Sequence, residues 1–254
     1  MALSKIDPAG LDIGQIGGRR NLIINGAMQV AQRGTSSTSN GYVTVDRWDV
    51  TTAQAATTKS QGTLSTSDEP FQYGFRKYIR QEVTSASSST SAFSETRQFI
   101  EAQNLAGSGW DYTSSSSYIT VSAWVRSSLA GTYYLHLTSQ DGTAKQYMTP
   151  FTLAADTWTK VTETIPGESG LSVDNDNGRG LIVTFVPYYG TTYTGSSAVI
   201  NSWAVRSGSD YMPDFLQNWA NTLGATFDVT GVQLEVGSVA TPFEHRSYGE
   251  ELAL

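Results

Sequence analysis

The residues best suited to chemistry in this sequence are aromatic and polar side chains on one face of predicted strands. Successive side chains on a strand point to opposite sides. In residues 118–126, for example, Trp124 therefore lies opposite Val121 and Ala123. Sugar rings stack on aromatic faces, and their hydroxyl groups bind charged side chains. The alternation predicts a glycan-binding face composed of Tyr78, Arg80, Glu82, Trp124, Tyr134 and His136. The alternative is that Trp124 belongs to the core and the polar residues form a solvated face.

A second group of aromatic residues lies in predicted loops. Exposed aromatic rings require a covering surface, which is either a receptor or a neighbouring subunit. Protein interfaces enrich the same residue types, so subunit packing is slightly favoured. This interface or receptor group consists of Trp110, Tyr112, Tyr188, Tyr189, Tyr193, Tyr211 and Trp219.

Motifs for catalysis are missing from the sequence. It contains no Gly-x-Ser-x-Gly and no glycine-rich phosphate loop. The two histidines, His136 and His245, have no identifiable orienting partner. Acid pairs such as Glu82 with Glu101, or Glu163 with Glu168, have no spacing that sets the carboxyl separation of a glycosidase. A non-enzymatic protein is therefore predicted.

One short segment resembles part of a calcium loop. Asp174 and Asp176 precede Gly178 at alternate positions, but no glutamate follows at the distal ligand position. A turn built on Asn-Gly explains the same residues. No cofactor is expected, and a structural calcium ion at Asp174 and Asp176 is the alternative.

Composition narrows the classes of partner. The chain of 254 residues has a formal net charge of −7, which opposes binding to a nucleic-acid backbone. It contains no cysteine, so disulfides and thiolate chemistry are excluded. The N-terminus lacks the apolar core of a signal peptide, and the longest apolar run, around 181–186, is too short to span a membrane. Synthesis in a cytoplasm, without membrane insertion, is expected.

The pattern of elements is that of an all-β sandwich or barrel, with short apolar-alternating runs separated by Gly, Ser, Thr, Asn and Asp. Near the end, the apolar alternation changes phase at Gly231, which predicts a β-bulge there. One helix is predicted over 212–223, where apolar residues follow helical spacing. Strands are predicted near 21–32, 43–52, 74–84, 96–103, 118–127, 132–138, 145–153, 157–165, 179–188, 197–206 and 225–236.

Two segments carry a resemblance to a known family. The first is residues 20–34, RNLIINGAMQVAQRG, followed by Asp46-Arg47-Trp48; the second runs from TGVQLEVG at 230–237 to Tyr248. They are similar to a module of tailed-bacteriophage structural proteins, chiefly tail fibres and other virion appendages of marine phages. The resemblance implies a jelly-roll sandwich related in shape to carbohydrate-binding modules.

The resemblance also implies an organisation and a set of partners. Residues 1–20 form an extended N-terminal arm that docks to the virion, 21–248 the jelly-roll β-sandwich, and 249–254 a C-terminal tail. The expected role is a virion-located tail-fibre or receptor-binding module, a homo-oligomer with a trimer favoured, which contacts other virion proteins and host cell-surface polysaccharide. Because related fibres carry a long shaft before this module, a capsid decoration or cement protein is the alternative. A polysaccharide depolymerase is the third.

Overall fold

The computed structural model describes residues 19–206 and 211–254, and strands dominate this part of the chain. The first six strands are β1 (Ser36–Ser37), β2 (Asp49–Ala53), β3 (Ala56–Thr63), β4 (Lys77–Ser85), β5 (Phe93–Glu101) and β6 (Tyr118–Ser127). The next six are β7 (Gly131–Ser139), β8 (Lys145–Leu153), β9 (Thr159–Pro166), β10 (Arg179–Tyr189), β11 (Trp203–Val205) and β12 (Thr226–Val236). Three short helices accompany them: α1 (Glu69–Gln72), α2 (Ala102–Ala106) and α3 (Tyr248–Ala253).

The strands form two six-stranded sheets that pack face to face. Sheet A has the order β1-β3-β4-β12-β6-β9, and sheet B the order β11-β8-β7-β10-β5-β2. Neighbouring strands within each sheet are antiparallel. The chain crosses repeatedly from one sheet to the other, as in a jelly roll. The fold is the predicted all-β jelly-roll sandwich.

Most strand predictions are confirmed, with two strands predicted too long and one strand missed. The strands predicted at 118–127 and 145–153 match β6 and β8 to the residue. The strand predicted at 43–52 begins only at Asp49, and the one at 197–206 shrinks to β11. Strand β3, ATTKSQGT, was not predicted because its side chains are mostly polar. Alternation of apolar residues identifies a strand only when one of its faces is apolar.

The strand predicted at 21–32 is wrong, because this segment is irregular. Asn25 and Met28 have φ angles of 55° and 58°, which a strand does not allow. The Asn25 side-chain nitrogen donates to the Val30 and Asp46 backbone carbonyls. The Asn25 backbone carbonyl accepts from the Trp48 indole nitrogen. Asn25 thus connects residues 20–34 with residues 46–48, so both parts of the first resemblance segment contribute to the fold.

The helix predicted over 212–223 is also wrong. Leu216 is 88% exposed and Leu223 is 70% exposed, so the apolar residues do not form one buried face. Only the single 3₁₀ turn Trp219–Asn221 is helical in this stretch. Helical spacing followed by a possible capping glycine, Gly224, is weak evidence over three turns, because tertiary packing overrides local propensity.

The predicted C-terminal tail contains an ordered helix instead. Ser247 and Glu250 form a reciprocal capping box at the start of α3. Glu251 of α3 is buried and accepts a hydrogen bond of 2.7 Å from the Asn25 backbone nitrogen. Residues 249–254 are therefore part of the folded unit. The predicted arm, by contrast, lies outside the described residues except for Arg19 and Arg20.

The core lies between the sheets and follows the predicted faces. Val121, Ala123 and Val125 of β6 are buried in it, and so are Tyr133, Leu135 and Leu137 of β7.

The predicted bulge is confirmed, because the pairing of β12 with β6 shifts register between Thr230 and Gln233. Gly231 has a φ of 61°, and a Cβ there would meet the Phe75 ring at 2.6 Å. Within the described ranges, no helix is long and apolar enough to span a membrane.

Candidate functional site

The outer face of sheet B holds an open cavity of about 450 Å³. Its floor is strand β5, whose residues alternate between the two faces of the sheet. Ser94 and Thr96 point into the sandwich, where both bind the Gln81 amide of the opposite sheet. Intervening residues of β5 therefore point outward. The lining consists of Thr51, Phe93, Glu95, Arg97, Tyr189, Tyr193, Arg206 and Tyr211.

Four aromatic rings form one wall of the cavity. Phe93 stacks on Tyr189 with centroids 5.6 Å apart and planes within 15°. Tyr193 meets both rings edge-on, at 5.9 and 5.6 Å. Tyr211 packs against Tyr189 at 5.4 Å. Such contacts fix ring orientation and favour flat ring surfaces over loose side chains. Tyr193 is only half-buried, so part of its ring remains free to contact a ligand.

Backbone hydrogen bonds hold the loop that carries Tyr193. The Gly190 nitrogen donates to the Ala92 carbonyl at 2.7 Å, and the Thr192 nitrogen donates to the Thr90 carbonyl at 2.9 Å. The Tyr193 carbonyl then accepts from the nitrogens of Tyr211 and Met212 at 3.0 and 3.1 Å. The aromatic wall is therefore preorganised, which lowers the entropic cost of binding.

Charged groups form the floor. The buried Glu95 carboxylate accepts from the Tyr189 hydroxyl on one oxygen and from the Arg97 guanidinium on the other. Arg97 Nε also donates to Asp49 at 3.0 Å, and the Thr51 hydroxyl donates to the same Asp49 oxygen at 2.9 Å. Both carboxylates thus bind Arg97, Asp49 from the neighbouring strand β2 and Glu95 from β5 itself, and Arg97 lines the cavity.

These contacts shift several pKa values. Burial raises the pKa of Tyr189 well above its usual value, and the neighbouring Glu95 charge raises it further. Burial and Glu95 likewise raise the pKa of Tyr211. Burial alone would lower the pKa of Arg97, but the charges of Glu95 and Asp49 outweigh it and raise the pKa. Near neutral pH, the cavity therefore presents neutral tyrosines and a charged arginine.

His136, predicted as a glycan ligand, lies behind this wall. It is 1% exposed, and Tyr211 covers it edge-on at 5.1 Å. Burial, with the positive charge of Arg206, lowers its pKa to about 3. The residue is therefore a neutral support for Tyr211, and its ring does not reach the cavity.

The structure separates the six predicted glycan residues, so the prediction of one combined face is wrong. Tyr134 and His136 lie on the outer side of sheet B, whereas the other four lie on the outer side of sheet A. Strand alternation assigns a residue to one of two sides but does not say which sheet its strand joins. Tyr134 is buried, with its ring 5.0 Å from Phe215. The sheet A members are Tyr78, Arg80, Glu82 and Trp124.

On sheet A, Arg80 is committed to an internal ion pair. It donates to both oxygens of the fully buried Asp228, at 2.7 and 2.9 Å. Arg126 donates to the same carboxylate at 2.9 Å. The hydrogen bonds that Arg80 donates to Asp228 raise the pKa of Arg80. This charge cluster stabilises the sheet, and it leaves Arg80 with little capacity to bind a ligand.

Trp124 is also largely covered. It is 5% exposed, and the Tyr73 ring lies over it with centroids 5.2 Å apart. It belongs to a satellite apolar cluster outside the main core, with Leu64, Phe75 and Trp158. A hollow of about 420 Å³ next to it is lined by Phe243, His245 and Lys160, among others. The alternative interpretation, Trp124 as a packing residue, fits its burial.

The predicted loop group divides in the same way. Trp219 is fully buried and Trp110 is 4% exposed, both within the main core, so the prediction that they are exposed contacts is wrong. Tyr112 is half-buried against Trp110, and Tyr188 lies against Phe215 at 5.7 Å. The remaining three, Tyr189, Tyr193 and Tyr211, meet in the cavity. Tyr189 and Tyr211 are buried, at 6% and 8% exposed, so their predicted exposure is wrong as well, whereas Tyr193 is half-buried. A sequence does not show whether a loop turns its aromatic residues into the core or away from it.

The segment with Asp174 and Asp176, for which a calcium ion was the alternative to a turn, is held by hydrogen bonds. Asp176 accepts a hydrogen bond of 2.8 Å from the Gly178 nitrogen, and the Asp174 nitrogen donates to Asp141 at 2.9 Å. Across residues 19–206 and 211–254, no three His, Cys, Asp or Glu side chains group together as metal ligands. The turn interpretation is consistent with these bonds.

Sequence reasoning missed five residues of the cavity: Phe93, Glu95, Arg97, Arg206 and Thr51. The signal for the first three was present, because aromatic and charged residues alternate at Phe93, Glu95, Arg97 and Phe99. The strand predicted at 96–103 began three residues too late, so the start of this pattern was read as a loop. Arg206 follows β11, and no local pattern marks it.

Comparisons with known proteins find similar structures but no matching family model or curated sequence. No protein-family model matches the chain, and no curated protein sequence matches it. Its structure is similar to the enzymatically active domain of tailspike protein 4 of bacteriophage CBA120, with 11% identity and a TM-score of 0.46. That match covers 85% of this chain and 21% of the tailspike, so the chain spans about a fifth of the tailspike's length.

Two further solved structures are similar. A xylan-binding CBM22-1 domain of Paenibacillus barcinonensis shows 9% identity over 87% of this chain and 96% of that domain, with a TM-score of 0.40. The tripod from the baseplate of bacteriophage Tuc2009 shows 15% identity over 91% of this chain and 59% of that chain, with a TM-score of 0.35. At TM-scores below 0.5, these similarities carry no argument about function.

Proposed function

We propose that this protein is a glycan-binding module of a tailed-phage virion, and that the sheet B cavity contacts host cell-surface polysaccharide. The observation that carries the proposal is the joint presence in one cavity of a preorganised aromatic wall, in which Tyr193 is half-buried, and the exposed Arg206 guanidinium. Aromatic faces suit the C–H surfaces of sugar rings, and the guanidinium suits their oxygen atoms. The virion assignment rests on the sequence resemblance of residues 20–34 and 230–248.

The cavity supports binding better than hydrolysis. Glycosidases place two carboxyl groups on either side of the scissile bond. Of the described residues that line this cavity, only Glu95 carries a carboxylate, and Tyr189 and Arg97 already occupy its oxygens. The nearby Asp49 carboxylate also accepts a hydrogen bond from the Arg97 guanidinium. A non-enzymatic role is therefore the proposal. Release of reducing ends from host glycans by the purified protein would contradict it.

Titration calorimetry with purified host envelope polysaccharide tests the binding site. Tyr193→Ala removes the exposed ring and is expected to weaken binding about tenfold or more, a loss of about 1.4 kcal/mol. The matched control is Tyr73→Ala, which removes a tyrosine that is 55% exposed on sheet A. It should leave affinity unchanged. Equal losses in the two variants, or a loss only in the control, would move the site away from sheet B.

Immunogold electron microscopy of the intact virion tests the location. The tail-fibre proposal expects label at the tail or its tip. Label distributed over the capsid would support the decoration alternative and would contradict the tail-fibre proposal, although glycan binding by the purified module would still stand.

A further inference from the structure

Three asparagines of the chain directly precede a glycine: Asn25, Asn40 and Asn177. In such a pair the glycine nitrogen attacks the asparagine Cγ, because glycine has no Cβ to obstruct ring closure. The attacking nitrogen gives up its proton, the bond between Cγ and Nδ2 breaks, and ammonia leaves a cyclic succinimide. Water then opens the ring to aspartate, or to isoaspartate, in which the backbone runs through the former side chain. All three pairs share this chemistry, so the fold decides which of them reacts.

Two of the three side chains are held by the fold. Asn25 Nδ2 donates to the Val30 carbonyl at 2.9 Å, and Asn25 Oδ1 accepts from the Val30 nitrogen at 3.0 Å. Asn40 Nδ2 donates to the Thr52 carbonyl at 2.9 Å. Asn40 Oδ1 accepts from the Thr52 nitrogen at 3.1 Å and from the Lys59 ammonium at 3.0 Å. Either side chain must break these bonds before its Cγ meets the glycine nitrogen, and such local opening costs free energy.

The side chain of Asn177 has no such restraint. It is exposed, and none of the described residues forms a hydrogen bond with it. The nucleophile, the Gly178 nitrogen, donates to the Asp176 carboxylate at 2.8 Å. Asp176 is itself exposed, so water competes for this bond. Ring closure at Asn177 therefore requires only a small rearrangement of a surface turn.

The turn that contains Asn177 also caps helix α2. The Ala102 nitrogen donates to the Gly178 carbonyl at 2.9 Å, and the Gln103 nitrogen donates to the Asp176 carbonyl at 2.8 Å. These are the first two nitrogens of α2, which have no partner within the helix and no side-chain cap. The two accepting carbonyls lie on either side of Asn177. An isoaspartate lengthens the backbone between them by a single carbon atom, so both bonds no longer fit the helix.

We propose that Asn177 is a site of spontaneous deamidation, and that its isoaspartate product releases the start of α2. Asp176 slows the reaction, because its carboxylate holds the Gly178 nitrogen and its negative charge opposes deprotonation of that nitrogen. The modified fraction increases with the age of the protein. The modification is independent of the proposed function, since the turn lies outside the sheet B cavity.

Peptide mapping by mass spectrometry tests the site in the full chain, aged at mildly alkaline pH. Asn177 should deamidate at least roughly tenfold faster than Asn25 or Asn40, which react only after local opening. In urea the fold restrains none of them, so most of this difference should disappear. Equal rates in the folded chain, or an unchanged preference in urea, would overturn the selection of Asn177 by the fold.

Three variants test the chemistry of the turn. Asn177→Gln keeps a side-chain amide but requires a larger ring, so this position should stay unmodified. Asp176→Ala should speed deamidation of Asn177 several-fold. The matched control, Asp174→Ala, removes an exposed carboxylate that does not bind the Gly178 nitrogen and should change the rate less. A rate in Asp176→Ala at or below that of the wild type would contradict the restraining role of Asp176.

Hydrogen exchange tests the effect on α2. In aged protein enriched in isoaspartate, which enzymatic methylation of its free α-carboxyl group quantifies, the amides of Ala102 and Gln103 should exchange several-fold faster than in fresh protein. The matched control is freshly purified Asn177→Asp, which adds the same charge without lengthening the backbone and should keep wild-type exchange. Unchanged exchange in the isoaspartate fraction, or an equal increase in Asn177→Asp, would refute the release of α2.

Discussion

The two outer faces of the sandwich carry similar residue types and use them in opposite ways. On sheet A, Asp228 lies between Arg80 and Arg126 and accepts hydrogen bonds from both. On sheet B, Asp49 and Glu95 both accept hydrogen bonds from a single arginine, Arg97. Two further arginines at sheet B, Arg179 and Arg206, are exposed and lie over the half-buried Phe99 and the buried Tyr211. The position of the carboxylates relative to the guanidiniums therefore distinguishes a stabilising network from a binding face.

Coverage of the aromatic rings differs in the same direction. Trp124 of sheet A is covered by Tyr73, and its cluster includes Phe75 from the segment that follows α1. Tyr193 of sheet B has no such covering element among the residues that the structure describes and keeps part of its ring exposed. Residue type alone thus does not identify a ligand platform. What covers the ring decides its role.

Removal of Asp228 should cause the largest change in stability. Asp228→Ala leaves two partly buried arginines without their shared carboxylate, which should cost about 4 kcal/mol in the free energy of unfolding. Chemical denaturation measures the loss. Asp49→Ala is the matched variant on sheet B and should cost less, because Arg97 keeps Glu95. Equal costs would remove the distinction between the two faces.

Truncation of Trp124 should come next. Trp124→Ala removes a ring that is 5% exposed, so a loss of about 3 kcal/mol is expected. Thermal melting reports this loss, and calorimetry on the folded variant should show unchanged glycan affinity. Weaker glycan binding with a normal melting temperature would return Trp124 to the role of ligand platform.

The stability of the protein should depend on pH through His136. Its pKa is about 3 in the folded protein and 6.5 in the unfolded chain, so the unfolded chain binds more protons between these values. Stability is therefore complete above pH 6.5 and falls as pH decreases towards 3, by up to about 1.4 kcal/mol per pH unit. Denaturation of wild type and His136→Gln across this range measures the difference.

The smallest effect on stability is expected for Arg179→Gln. Its guanidinium is exposed and contacts only the Phe99 ring, so the free energy of unfolding should change by less than about 0.5 kcal/mol. Denaturation of this variant beside Asp228→Ala compares an outward arginine with an internal ion-pair cluster. A loss comparable to that of Asp228→Ala would show that sheet B is also built on its charges.

The sequence predicts the sandwich well because its core strands alternate strictly, as in Ile119, Val121, Ala123 and Val125. It also predicts the bulge, since only an inserted residue at Gly231 keeps both halves of β12 in one core. The site was harder to predict, because the side of a strand is a local property whereas the sheet it joins is not. The sequence predicts Tyr189, Tyr193 and Tyr211 as interface or receptor residues. Their contact with Glu95 and Arg97 depends on the long-range pairing of β5 with β10, which the sequence does not show.

Oxidative footprinting with and without bound host polysaccharide tests the central claim most directly. Hydroxyl radicals modify exposed aromatic side chains, so protection maps the covered face residue by residue. The account predicts that the glycan protects the half-buried Tyr193 on sheet B and leaves Tyr73, which is 55% exposed over sheet A, as reactive as before. Protection of Tyr73 with unchanged reactivity of Tyr193 would contradict it.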